Sequence, residues 1–239
     1  AMLVRAESGV AIGARTNRIT MESTSPTGGA FELRNHGSGA LTIERVVNAA
    51  QDVTVATPGD LFVAAPGGSI SGEGSASGGI TGRRIDLQSA NGMVDIGASI
   101  SGSESIRVDA GAAIQIAQRG GPDGLLVQAP SIDLSGTGIA IRHSAPGQTT
   151  VPPEPLHVNA TGSLSLDGRT GNISVEANSG PVSIQTDDLK ISAQGMGVMG
   201  GASDGAYAYI GYSRISQLTL GSLAFIAGTG ANADAVMHG

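Results

Sequence analysis

The chain has 239 residues, of which 38 are glycine, about one in six against a usual share near 7%. Charged residues make up 14% and aromatics 3%, cysteine and tryptophan are absent, yet 40% of residues are hydrophobic. This balance excludes ordinary disorder, disulfides and cysteine-based zinc chemistry. A net charge of −7 with Lys190 as the only lysine argues against a nucleic-acid or anionic-membrane partner.

Ala1-Met2-Leu3 reads as the start of an excised or mature segment, with no signal peptide and no apolar stretch long enough for a membrane-spanning helix. Residues 1–39 read as irregular. Little of the remaining chain reads as helix, because Gly, Ser, Asn, Asp and Pro recur too often. Leu41 to Asp52 is the best helical candidate. It reads equally well with Leu41-Thr42-Ile43 and the adjoining Val53-Thr54-Val55 as two short strands joined by a turn.

From about residue 40 to 200 one phrase recurs, apolar–x–apolar, bounded by small or polar residues. It appears at Leu61-Phe62-Val63, Ile85-Asp86-Leu87, Val94-Asp95-Ile96, Ile106-Arg107-Val108, Ile114-Gln115-Ile116, Leu125-Leu126-Val127, Ile132-Asp133-Leu134 and Ile139-Ala140-Ile141. It resumes from Leu156-His157-Val158 to Leu189-Lys190-Ile191. Period-two alternation in short runs predicts strands with one buried face. Alternate members recur at close to 20 residues, as in Ile85, Ile106 and Leu125, which predicts a single elongated solenoid of stacked coils. That spacing places Asp86 over Arg107, and Asp95, Gln115 and Asp133 in an outward column. The segment 143–155 carries four prolines, which cannot donate to a ladder, so it reads as an insertion leaving the body. Residues 201–239 read as atypical final coils.

Gly68-Ser69-Ile70-Ser71-Gly72, Ser89-Ala90-Asn91-Gly92 before Val94, and Val108-Asp109-Ala110-Gly111 resemble the coils of filamentous-haemagglutinin-type secreted exoproteins, which are large bacterial adhesins. The tail segment from Ala206 to Tyr212 resembles an Ala–x–Ala–x–Ile–Gly–His–Gly repeat of such proteins, with Tyr212 in place of the histidine. A degraded copy runs from Ala233 to Gly239. The resemblance implies a right-handed parallel β-helix, export through an outer-membrane transporter, and residence at the cell surface or in the medium. It implies the shaft or repeat region of an adhesin, with a host-surface or glycan ligand left unidentified. The family's secretion domain carries an Asn-Pro motif that this chain lacks, so an internal or C-terminal piece is expected.

Enzymatic chemistry has few candidates. Asp86, Asp95, Asp109 and Asp133 could supply a carboxylate pair for a β-helical polysaccharide lyase or hydrolase, but the ladder does not converge on a cluster with a histidine or a paired arginine, and Arg107 beside Asp86 is only a weak hint. Asp187-Asp188 precedes an apolar run and reads as a turn. His36, His143, His157 and His238 stand on separate segments without ligand spacing, so neither a metal nor another cofactor is expected. Gly120-Gly121-Pro122-Asp123-Gly124 reads as a turn rather than a calcium repeat, because it occurs once. The expected function is therefore a non-enzymatic, rigid adhesin or scaffold segment with no catalytic residue. The alternatives are a carbohydrate-active enzyme and a self-assembling filament subunit.

Overall fold

A computed structural model describes residues 2–5, 10–14, 18–22, 29–48, 51–64, 79–119, 124–144 and 154–239. Gly68–Gly72, Gly120–Asp123 and most of the proline-rich insertion lie outside these residues. The described chain contains strands and turns and no helix. Its first strands are β1 (Met2–Arg5), β2 (Val10–Ala14), β3 (Arg18–Glu22), β4 (Phe31–Asn35), β5 (Leu41–Asn48), β6 (Val53–Thr57) and β7 (Leu61–Val63). The middle holds β8 (Gly79–Ser89), β9 (Val94–Ile96), β10 (Ile100–Ala110), β11 (Ile114–Gln118), β12 (Leu125–Ser135) and β13 (Ile139–His143). The last are β14 (Leu156–Asp167), β15 (Asn172–Glu176), β16 (Val182–Met199), β17 (Ala208–Ile226) and β18 (Ala235–His238). The Leu41 to Asp52 segment is thus strand and turn.

Alternation places the strands. In β6, Val53, Val55 and Thr57 point inward while Thr54 and Ala56 are half-exposed. In β13 the inward residues are Ile139, Ile141 and His143. Every strand pair is parallel, and three series of pairs build three walls. The first runs through β1, β3, the second half of β5, the first halves of β8, β10, β12, β14, β16 and β17, and ends at β18. The second runs through β2, β4, β6 and the later halves of β8 to β17. The third runs through the start of β5, then β7, β9, β11, β13, β15 and the ends of β16 and β17. Long strands pass from one wall to the next without a break. Register shifts at Gly102/Ser105, Ala129/Ser131 and Ala160/Ser163 mark the corners, as extra residues in a ladder do.

Two findings correct the open right-handed parallel β-helix, or solenoid, expected from the sequence. First, the long strands fuse the walls into one sheet of eighteen strands, and that sheet is closed as a parallel β-barrel. Second, the period does not hold. Ile106 pairs with Ile85 on one side but with Ile132 on the other, while Leu125 pairs with Leu156. Successive partners of Ile85 are Ile106, Ile132, Leu164 and Leu189, in steps of 21, 26, 32 and 25 residues. The physical reason is that register is set by the buried face and the hydrogen-bond ladder, whereas connections absorb extra residues at small entropic cost.

The interior is aliphatic. Ile96, Ile116, Ile141, Val175 and Val198 succeed one another on the third wall, each fully or almost fully buried. Leu87, Val108, Leu134, Leu166 and Ile191 do the same on the second. Each such side chain contributes roughly 1.5–3 kcal/mol by leaving water. Phe31 is the largest ring in the described core. The two copies of the tail motif meet directly, with Ala208, Tyr209, Ile210 and Gly211 paired to Ala235, Val236, Met237 and His238. The 27-residue offset between the copies is therefore one step of the ladder.

Candidate functional site

The strands of the second and third walls repeat a finer pattern, apolar–x–apolar–x–polar. Its fifth residue is Asn35, Thr57 or Ser89 on the second wall and Gln118 or His143 on the third, and all five are buried. A polar group turned inward at a strand's end must find a partner there, and the turn's own backbone supplies it. Asn35 Nδ2 donates to Thr57 Oγ1 (3.1 Å) and to the Gly37 carbonyl (3.2 Å), while Asn35 Oδ1 accepts from the Gly37 amide (3.1 Å). Ser89 Oγ donates to the Gly59 carbonyl (2.7 Å) and accepts from the Gly92 amide (3.0 Å). These bonds hold the turns after β4, β6 and β8 against one another.

Outside this polar ladder the turns leave a surface cleft of about 490 Å³. Arg34, His36, Gln88, Asp109 and Arg169 line it, with Ala56, Pro58 and Ala90 among its apolar surface. Arg169 reaches the cleft from the turn after β14. Its backbone is left-handed (φ 44°), which is uncommon for a residue with a Cβ. From there Nη2 donates to Asp109 Oδ1, Nη1 to the Ala110 carbonyl (3.1 Å) and Nε to Ser135 Oγ (3.1 Å). Arg34 donates through Nε to Glu32.

The acids considered from the sequence do not assemble. Asp86 does lie opposite Arg107, but Gln88 Nε2 donates to its carboxylate (2.9 Å) and Arg107 pairs with Asp109 (3.6 Å). The column of Asp95, Gln115 and Asp133 breaks. Gln115 stands opposite Asp95 and Ala140, while Asp133 stands opposite Arg107 and Ser165. Asp95 alternates outward but is covered by Arg119 rather than exposed. It is 4% exposed, and Arg119 Nη2 donates to both of its oxygens (2.8 and 2.6 Å). Asp109 alone of the four lies in the cleft. Asp187 and Asp188 sit inside β16 rather than in a turn. The Ser216 hydroxyl and then the Arg214 guanidinium hold the Asp188 carboxyl below the usual carboxylate range. Among the described residues no group of three or more His, Cys, Asp or Glu could hold a metal.

His36 is in the cleft, and His157 lies outward on β14. His143, expected to begin the insertion, instead ends β13 and is 1% exposed. Its Nε2 faces the Glu154 carbonyl (2.9 Å) and its Nδ1 faces Ser179 Oγ (3.2 Å). A carbonyl only accepts, so Nε2 carries the proton of the neutral ring and Nδ1 accepts from the serine. The imidazole thereby ties the two ends of the 144–155 connection together. Burial pushes the His143 pKa down, opposed by the Glu154 carbonyl. The unfolded chain therefore takes up a proton first as pH falls through about 6.5, and the stability held by the neutral ring declines below that pH. The thermal midpoint is expected to fall between about pH 7.5 and 5.5, and to fall less in His143→Gln, since Gln118 occupies the paired position one strand back. Equal slopes for the two proteins in that window would refute this role.

Sequence reasoning missed Arg34, Gln88 and Arg169 as neighbours. The inward polar fifth residue was the available signal for the turns that bring them together. Compared with known proteins, the chain matches no family model, no curated protein and no solved structure.

Proposed function

We propose that this chain is a non-enzymatic scaffold segment of a secreted or cell-surface adhesin, exported through an outer-membrane transporter and carrying a ligand-binding cleft on its wall. The observation that supports this reading most is mechanical. Residues lining the cleft come from the ends of β4, β6, β8 and β10, and those strands are locked in one parallel sheet over unbroken aliphatic columns. Close-packed interiors of this kind have low compressibility. A stiff wall keeps the cleft's shape while the attached cell is pulled. The tail and coil phrases that resemble those of filamentous-haemagglutinin-type exoproteins support the same reading.

The test is adhesion without turnover. Beads coated with the folded chain should stick to mucin-coated glass and be released by excess soluble chain. Beads coated with heat-unfolded chain should not stick. Equal retention by folded and unfolded coatings, or shortened products from an acidic polysaccharide incubated with the chain, would overturn the reading.

A further inference from the structure

We infer that the cleft binds a linear acidic oligosaccharide through its carboxylates, an inference that rests on the adhesive reading and specifies what that surface holds. The protein carries a net charge of −7, yet the cleft gathers Arg34, His36 and Arg169 around one carboxylate, Asp109. Arg169 and Arg107 both pair with Asp109, so its charge is already compensated. Arg34 is 67% exposed, and among the described residues its side chain donates only through Nε, to Glu32. Its two terminal nitrogens remain to fork onto a ligand carboxylate, the geometry that guanidinium suits best. His36 makes no hydrogen bond with any described residue and offers a ring nitrogen to a hydroxyl or carboxylate.

The cleft's direction selects a saccharide over a peptide. It crosses four successive strand ends, roughly 15 Å at about 4.8 Å per strand. A bound peptide would seek free backbone edges. Here the turn amides are spent on neighbouring turns, with Ala90 N bonded to the Thr57 carbonyl, Asn91 N to that of Pro58 and Gly111 N to that of Ser89. Side-chain donors are what remain. Among the described residues no Phe, Tyr or Trp lines the cleft, so binding depends on charge and hydrogen bonds rather than on stacking against a large ring.

The experiment is calorimetric titration of the full chain with tetragalacturonate and with its methyl ester, which has the same length without the charge. The acid should bind, and the ester at least about tenfold more weakly, the loss expected for a charged hydrogen bond. Arg34→Ala should weaken the acid about tenfold, with Arg34→Lys between. Arg84→Ala, which removes an exposed pair with Glu104 outside the cleft, should change nothing. Equal binding of acid and ester, or equal losses from Arg34→Ala and Arg84→Ala, would overturn the inference. If neither sugar binds while coated beads still adhere, the ligand class is wrong and the adhesive reading stands. If the acid binds and is cleaved, the ligand class stands and the non-enzymatic reading falls.

Discussion

Gly171→Ala is expected to lower the unfolding free energy by about 3 kcal/mol, at the upper end of what overpacking costs. A Cβ at this position would lie 1.8 Å from the Thr137 carbonyl oxygen and 2.9 Å from its carbon. Both are backbone atoms, so no rotamer change can make room. The crowding is built into the stacking of turns. The Gly171 amide donates to Gly168 (2.8 Å) and its carbonyl accepts from Gln194 (3.0 Å), while the Thr137 amide donates to Ala112 (2.9 Å). Three successive turns are thereby held at close approach, and relief at one would break bonds at the next. Gly39→Ala is the control, because nothing lies within 4 Å of its added carbon, and its effect should stay within about 0.5 kcal/mol. Urea unfolding of both variants decides the matter. Equal midpoints would mean that the turns are not in contact.

Ile116→Ala is expected to cost about 2–5 kcal/mol, and Ile116→Val about 0.5–1.5 kcal/mol. Ile116 is fully buried and stands between Ile96 and Ile141 on the third wall. Its neighbours are fixed by ladder hydrogen bonds on both sides, so they cannot collapse into the space that truncation leaves. The milder substitution keeps the test informative even if the alanine protein fails to fold. A loss below about 1 kcal/mol for Ile116→Ala would show a loosely packed interior instead.

The strands were legible because a buried face two residues in period needs no tertiary information. Ile85 and Leu87, Val94 and Ile96, and Ile106 and Val108 all point inward, as their alternation requires. The partner of each strand was legible only where connections are equal in length. Ile85 meets Ile106 as expected, but the ladder then skips Leu125 for Ile132. No local property of Leu125 forbids the shorter pairing. The choice is made jointly by every position of β10 and β12. Closure of the sheet was equally hidden, since it depends on β5, β8, β16 and β17 turning corners while still paired. Asp95 misled for a different reason. Its alternation with Val94 and Ile96 marks it as outward, and only the approach of Arg119 from the end of the next strand on that wall covers it. The cleft combines both difficulties, because Arg34 and Arg169 come from distant turns that meet only once the register is set.

The uneven spacing of stacked strands has a use beyond this molecule. Three residues separate β9 from β10, whereas twelve separate β13 from β14, and the same walls continue across both. A body whose layers tolerate such different joints offers natural splice points for foreign segments. Epitopes or enzymes grafted at those joints should be displayed at set heights without disturbing the layers beneath.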